Sequence, residues 1–162
     1  MKNIPIPVCI IGLVDGSEIL LIKRKKEPYK GYWGLVGGKF ELGESIEDVI
    51  RREVMEETGF SVGSFKINGM YNEILLDKDD NLLNHFLFVA VKVDLDKNVK
   101  RKNVKDAGIE SSKWFNLPLK DNKNIIPSDL IMLENFNSNI PVFKEFVMKE
   151  DGDELKLVRV VE

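Results

Sequence analysis

The stretch GKFELGESIEDVIRREVMEETGF, residues 38–60, sets Glu44, Glu47, Glu53, Glu56 and Glu57 in or beside one short helical pattern. Ser45 is a good N-cap, with Asp48 three positions on as a capping-box acid, and Gly59 stands where a helix closes in the left-handed conformation. At ~100° per residue, Ile46, Val49, Ile50 and Val54 share a sector about 140° wide, the face that buries against a sheet. Glu53, Glu56 and Glu57 fall inside that sector or on its edge, while Asp48, Arg51 and Met55 take the outward side. A run of charge usually marks a solvated helix face. Here the like charges are spaced three and four residues apart at the negative end of the helix dipole, so both terms are unfavourable. A divalent cation reverses both. Carboxylates without His or Cys are hard ligands, suited to Mg²⁺ or Mn²⁺, and Mg²⁺ commonly completes its shell with water and substrate phosphates.

Outward from this stretch, Val8–Val14 and Glu18–Arg24 are β-type runs joined by Asp15-Gly16-Ser17, a hairpin signal. The second run leads Arg24 into a loop carrying Pro28, Tyr29, Gly31, Tyr32 and Trp33, and Gly37-Gly38 then permits close backbone approach. Downstream, Phe65–Leu76 and Leu83–Val93 read as a second hairpin across Asp77–Asn81. Residues 94–108 are polar, basic and aperiodic, the pattern of a mobile loop, and Glu110–Phe115 is a short strand. Pro127–Phe136 carries cap and apolar pattern for a second helix, and Val142–Lys149 with Leu155–Val161 closes the chain as a hairpin. Strands flanking a few helices predict an α/β protein with a mixed sheet.

At 162 residues the expectation is one domain spanning 1–162. With 43% hydrophobic and 31% charged residues, no apolar run long enough for a bilayer and no signal-peptide pattern, the expected location is cytoplasmic. A net charge of −3 leaves no electrostatic footprint for nucleic acid. The single cysteine, Cys9, reads as a buried strand residue, and the single histidine, His85, heads an apolar strand, so multi-His zinc sites are excluded.

Gly38, Glu44, Arg52-Glu53, Glu56-Glu57 and Gly59, at their spacings of five, seven, two and one intervening residues, resemble the signature box of the Nudix hydrolases. Phe60 stands where an aliphatic residue is more usual, and Val36 where many relatives have proline. The resemblance implies an α/β/α sandwich around a mixed sheet and cleavage of a nucleoside diphosphate linked to another moiety. It implies that Glu53, Glu56, Glu57 and the Gly38 carbonyl hold Mg²⁺ or Mn²⁺, that Arg52 holds Glu53, and that Glu44 and Gly59 serve the box structurally. Glu53 is the first choice of general base, with Asp106 and Glu110 as alternatives from another loop.

Arg24 and Lys39 are the candidate phosphate contacts, and Tyr32, Trp33 or Phe86 the candidates to stack a base. Leu75 and Leu76 occupy the region where ADP-ribose hydrolases often carry proline, and the SQPWPFPxS motif of NADH hydrolases is absent. Elimination leaves nucleoside triphosphates, oxidised ones included, cleaved to monophosphate and pyrophosphate. The alternatives are an ADP-ribose or nucleotide-sugar pyrophosphatase and a nucleotide-sensing module without catalysis. A prenyl-diphosphate isomerase would need a cysteine in the pocket, and Cys9 in the first strand is poorly placed for it. An edge strand leaves pairing into a homodimer open.

Overall fold

The computed structural model describes residues 4–98, 109–119 and 123–162. Its elements run β1 (Ile6–Asp15), β2 (Glu18–Arg24), β3 (Trp33–Gly34), β4 (Val36–Lys39), α1 (Ile46–Thr58), β5 (Val62–Leu76), β6 (Leu82–Leu95), β7 (Ile109–Asn116), α2 (Pro127–Asn135), β8 (Val142–Asp151) and β9 (Glu154–Val161). β1 is central because both of its side-chain rows are apolar. Cys9, Ile11 and Leu13 face one way, into a core completed by Val49, Ile50 and Val54 of α1. Val8 and Ile10 face the other, into a core with Met132 of α2 and the neighbouring Phe136. The period-2 alternation of a strand thus produces a sheet between two helices, the α/β/α arrangement.

The strand order is β3-β2-β1-β6-β5-β8-β9, with β4 on β1 and β7 on β2. β1 runs parallel to β6 and β5 parallel to β8, while β5–β6 and β8–β9 are antiparallel hairpins, so the sheet is mixed. The first hairpin is shorter than the sequence predicts. β1 and β2 pair only at Val14–Ile19 and Asp15–Glu18. Beyond that turn β4 takes the edge of β1, setting Gly38 opposite Cys9 and Gly37 opposite Ile10, while β2 swings away to pair with β3 and β7. A Cβ on Gly37 would lie 2.3 Å from the Cys9 carbonyl oxygen, so only glycine permits this wedge.

The second helix also differs from expectation at its start. Ile126 is the N-cap and makes no side-chain capping bond. Ser128 and Asp129, which read as capping residues, are instead buried against the sheet. Of the loop expected at 94–108, β6 takes the first two residues, and Asp106 lies outside the described residues, as does the side chain of Glu110. No described helix is long and apolar enough to cross a membrane.

Candidate active site

Helix α1 is fixed at both ends by its own sequence. The Ser45 hydroxyl accepts from the Asp48 N–H, and the Asp48 carboxylate accepts from the Ser45 N–H at 3.0 Å, a reciprocal capping box. At the other end Gly59 has φ 71°, and its N–H bonds the Met55 carbonyl. Val49, Ile50 and Val54 press the helix onto β1, and the same phase carries Glu53 into the buried face, where the residue is only 8% exposed.

Two contacts hold that carboxylate. Arg52 donates from Nη1 to Glu53 Oε1 at 2.6 Å, and from Nε and Nη2 to both oxygens of Glu44 at 2.5 and 2.9 Å. Its Nη2 also reaches the Lys39 carbonyl at 3.1 Å, tying α1 to the end of β4. The guanidinium holds the Glu44 carboxyl down at about 2, with help from the Glu41 N–H. Burial pushes the Glu53 carboxyl up, and Arg52 offsets part of that rise. The second contact is with Gly38, where an added Cβ would fall 2.0 Å from Glu53 Oε1.

Glu57 turns to β4 and accepts from the Gly37 N–H at 3.2 Å. The Glu56 side chain is 58% exposed and lies 3.4 Å from Arg52 Nη1. The sequence placed all three glutamates on or beside the inward face, and the structure buries Glu53 alone. Among the described residues, no three acidic, His or Cys side chains converge on one point. The three carboxylates fan around the C-terminal turns of α1, Glu53 and Glu56 towards Arg52 and Glu57 towards the Gly37 N–H.

The donor set still suits a hard divalent cation: three carboxylates beside a glycine strand that leaves room for a ligand. Cys9, opposite Gly38, supplies no soft donor, because burial and the charge of Glu53 push its thiol up to about 12. Cys9 is therefore nearer the acidic helix than the sequence suggested, but as a protonated core residue.

A cavity of about 430 Å³ opens beside this constellation, and Gly37, Gly38 and Lys39 form part of its lining. Arg24 and Lys26 add two further cations, Leu35, Phe86, Phe88 and Ile126 add apolar surface, and Tyr29 and Asp129 add polar groups. The structure thus brings Arg24, Lys39 and Phe86 together at one cavity. It does not bring Tyr32 or Trp33 there. The Tyr32 hydroxyl accepts from the Leu155 N–H at 2.9 Å, and Trp33 packs edge-on against Phe115 at 5.2 Å. His85 bonds Asn72 across the β5–β6 pair at 2.7 Å.

Sequence reasoning missed Lys26, Tyr29 and Asp129. Asp129 accepts from the Leu35 N–H at 2.8 Å, and its carboxyl is raised to about 7, chiefly by burial and further by Glu73. Glu73, mid-strand in β5 and fully buried, accepts from the Tyr29 hydroxyl. The one visible signal was an acid at a strand position whose neighbours in the same row, Tyr71 and Leu75, are core residues.

A mixed sheet between two helices, with a glutamate-bearing helix end beside a glycine strand, defines a Nudix-type scaffold. The sequence model of the NUDIX domain matches residues 4–133, and the chain belongs to the Nudix family. It is 41% identical over 66 residues to an ADP-ribose pyrophosphatase of Methanocaldococcus jannaschii, an alignment covering 40% of this chain and 39% of that protein. It is 36% identical over 73 residues to a protein of Bacillus subtilis named as a putative 8-oxo-dGTP diphosphatase, covering 45% of this chain and 47% of the relative. These alignments span less than half of either relative. Among solved structures it is similar to a MutT NUDIX hydrolase from Burkholderia pseudomallei, with a TM-score of 0.66, 27% identity, and coverage of 82% of this chain and 98% of that one.

Proposed function

We propose that the chain is a metal-dependent hydrolase of nucleotides bearing a diphosphate linkage, with a nucleoside triphosphate, oxidised forms included, as substrate and monophosphate and pyrophosphate as products. The observation that carries this reading is the single cavity that runs from Gly38, against which Glu53 is packed, past Arg24, Lys26 and Lys39 to the apolar surface of Phe86, Phe88 and Ile126. Cations match a polyphosphate and apolar walls match a nucleoside.

Glu53, Glu56, Glu57 and the Gly38 carbonyl would hold Mg²⁺ or Mn²⁺, which when bound supplies charge neutralisation to the phosphate oxygens. Arg52 keeps the Glu53 carboxylate against β4, so that this group is oriented before substrate arrives. Glu53 then takes the proton of the attacking water. Arg24, Lys26 and Lys39 bind and orient the phosphates, and Phe86 presents a face to the base. Glu44 serves by fixing Arg52.

A second reading, an ADP-ribose pyrophosphatase, is favoured by the name of the archaeal relative. Incubation with nucleoside triphosphates, 8-oxo triphosphates, ADP-ribose and sugar nucleotides in Mg²⁺, with products read by mass spectrometry, separates the two. Glu56→Gln and Glu57→Gln are expected to lower kcat by roughly 100-fold or more. Wild-type turnover and metal dependence in both variants would sink the assignment, and no turnover of any nucleotide by the wild type would leave a sensing module.

A further inference from the structure

Behind the cavity wall lies a polar cluster that the proposed chemistry does not use. Glu73 is 0% exposed, in the same row of β5 as Tyr71 and Leu75. Its strand neighbours are Phe86 on β6 and Phe146 on β8, neither of which balances its charge. One carboxylate oxygen accepts from the Tyr29 hydroxyl. The other carboxylate oxygen and the buried hydroxyl of Ser128 make no hydrogen bond of ordinary length, but Ser128 lies near enough to Glu73 to hold its carboxyl down against burial. A fully buried carboxylate with one full hydrogen bond is expensive, and a chain that needed only packing here would carry an apolar side chain.

Tyr29, which bonds Glu73, and Ser128, which lies near it, are both parts of the cavity or attached to it. Tyr29 lines the cavity from the loop at 25–32, where it adopts φ 67°, and the loop is drawn in further by Arg24 Nε bonding the Pro28 carbonyl at 2.8 Å. Ser128 is the residue before Asp129, which lines the cavity from the first turn of α2.

Resting on the nucleotide reading, we propose that Glu73 is a positioning residue that, from behind the cavity, ties the Tyr29 wall to the first turn of α2, where Asp129 lines the cavity, and so governs Asp129 and the grip on the nucleoside end. The charged and titratable groups facing this pair are Tyr29 from the loop and Arg24 from the end of β2, with Glu150 of β8 acting on Tyr29. Glu27 in turn faces Glu150. Arg24 favours the ionised form of Asp129 and Glu73 opposes it, so the two carboxyls are not both ionised at neutral pH at no cost. Protonated, the Asp129 carboxyl offers a donor to the base, and ionised it offers only acceptors.

Three variants test this: Glu73→Gln, which keeps an acceptor for Tyr29 but no charge, Glu73→Met, which keeps volume only, and Tyr29→Phe. Each is measured for thermal stability, for KM and kcat on the best nucleotide from pH 5.5 to 8.5, and, without ligand, for the titration of Asp129 by carboxyl ¹³C NMR. Glu73→Met is expected to be as stable as the wild type or more so, with KM up about tenfold and kcat within twofold. Tyr29→Phe should raise KM in the same way. Glu73→Gln should restore most of the affinity at low pH and move the Asp129 midpoint, and with it the pH profile of KM, about one unit lower. Wild-type KM in Glu73→Met, or an unmoved Asp129 midpoint in Glu73→Gln, overturns the proposal. If the wild type turns over no nucleotide, the functional reading falls, and the ligand-free titration still decides whether Glu73 governs Asp129.

Discussion

Glu53 occupies the space that a side chain at residue 38 would fill, and this makes two adjacent glycines serve different ends. At Gly37 an added methyl meets the backbone of Cys9, which cannot retreat without parting β4 from β1. At Gly38 it meets the end of a long side chain, which can. Gly38→Ala is therefore expected to fold with a modest loss of stability, about 1 kcal/mol, and to lose roughly 100-fold in kcat as the Glu53 carboxylate is displaced. Gly37→Ala should instead lose several kcal/mol, by the same logic as any core overpacking that backbone cannot relieve. Urea unfolding of both variants, with kcat of the first, checks this; equal stability losses would show that the two positions are not distinguished by what they face. Arg52 illustrates what residue-level pattern can convey. Its bonds to Glu44 and Glu53 follow from the fixed spacing of the box, because all three lie on one loop and helix. Asp129 and Tyr29 were illegible for the opposite reason. Their meaning depends on Glu73, which reaches them only through the folded sheet.

Helix α1 was legible as an element because everything that defines it is local. The cap, the terminating glycine and the apolar phase are all contained within residues 45–59. The Ser45 hydroxyl accepts one N–H of the first turn, and Ser45→Ala is expected to cost about 1 kcal/mol, read as a lower urea midpoint with unchanged slope. A loss below about 0.3 kcal/mol would mean that water replaces the cap without penalty. Helix α2 was legible only in extent. Its Pro127-Ser128-Asp129 start has the composition of a cap, yet tertiary burial claims both polar side chains and leaves Ile126 at the cap position. The first hairpin misleads in a similar way, since Asp15-Gly16 does form its turn, but the insertion of β4 sends β2 to other partners beyond it.

The molecule as a whole carries acids whose responses to pH oppose each other. Glu44, held at about 2, favours the folded state above the ordinary carboxylate range, and that contribution fades as pH falls towards its folded value. Asp129 behaves in the reverse sense. Its folded value of about 7 lies above the ordinary 3.8, so the native state binds the extra proton between those limits and stability falls as pH rises through them. The slope is at most about 1.4 kcal/mol per pH unit. Asp129→Asn should remove it, gaining on the wild type steadily from pH 4 to pH 7 and keeping a constant lead above; urea unfolding at pH 4.5, 6 and 7.5 measures this, and parallel profiles would refute it. Another property of the whole comes from β1 lying parallel to β6, where each residue pairs with one 80 positions further along the chain. Closing a loop of that length costs roughly 4 kcal/mol of chain entropy, recovered only when the full register forms. Nor can α1 bury its apolar face until Val91 and Val93 of β6 complete the core beneath it. During synthesis, then, the acidic stretch leaves the ribosome well before the strand that supports it, and its glutamates keep that waiting segment soluble until β6 arrives and the molecule closes around it in one cooperative event.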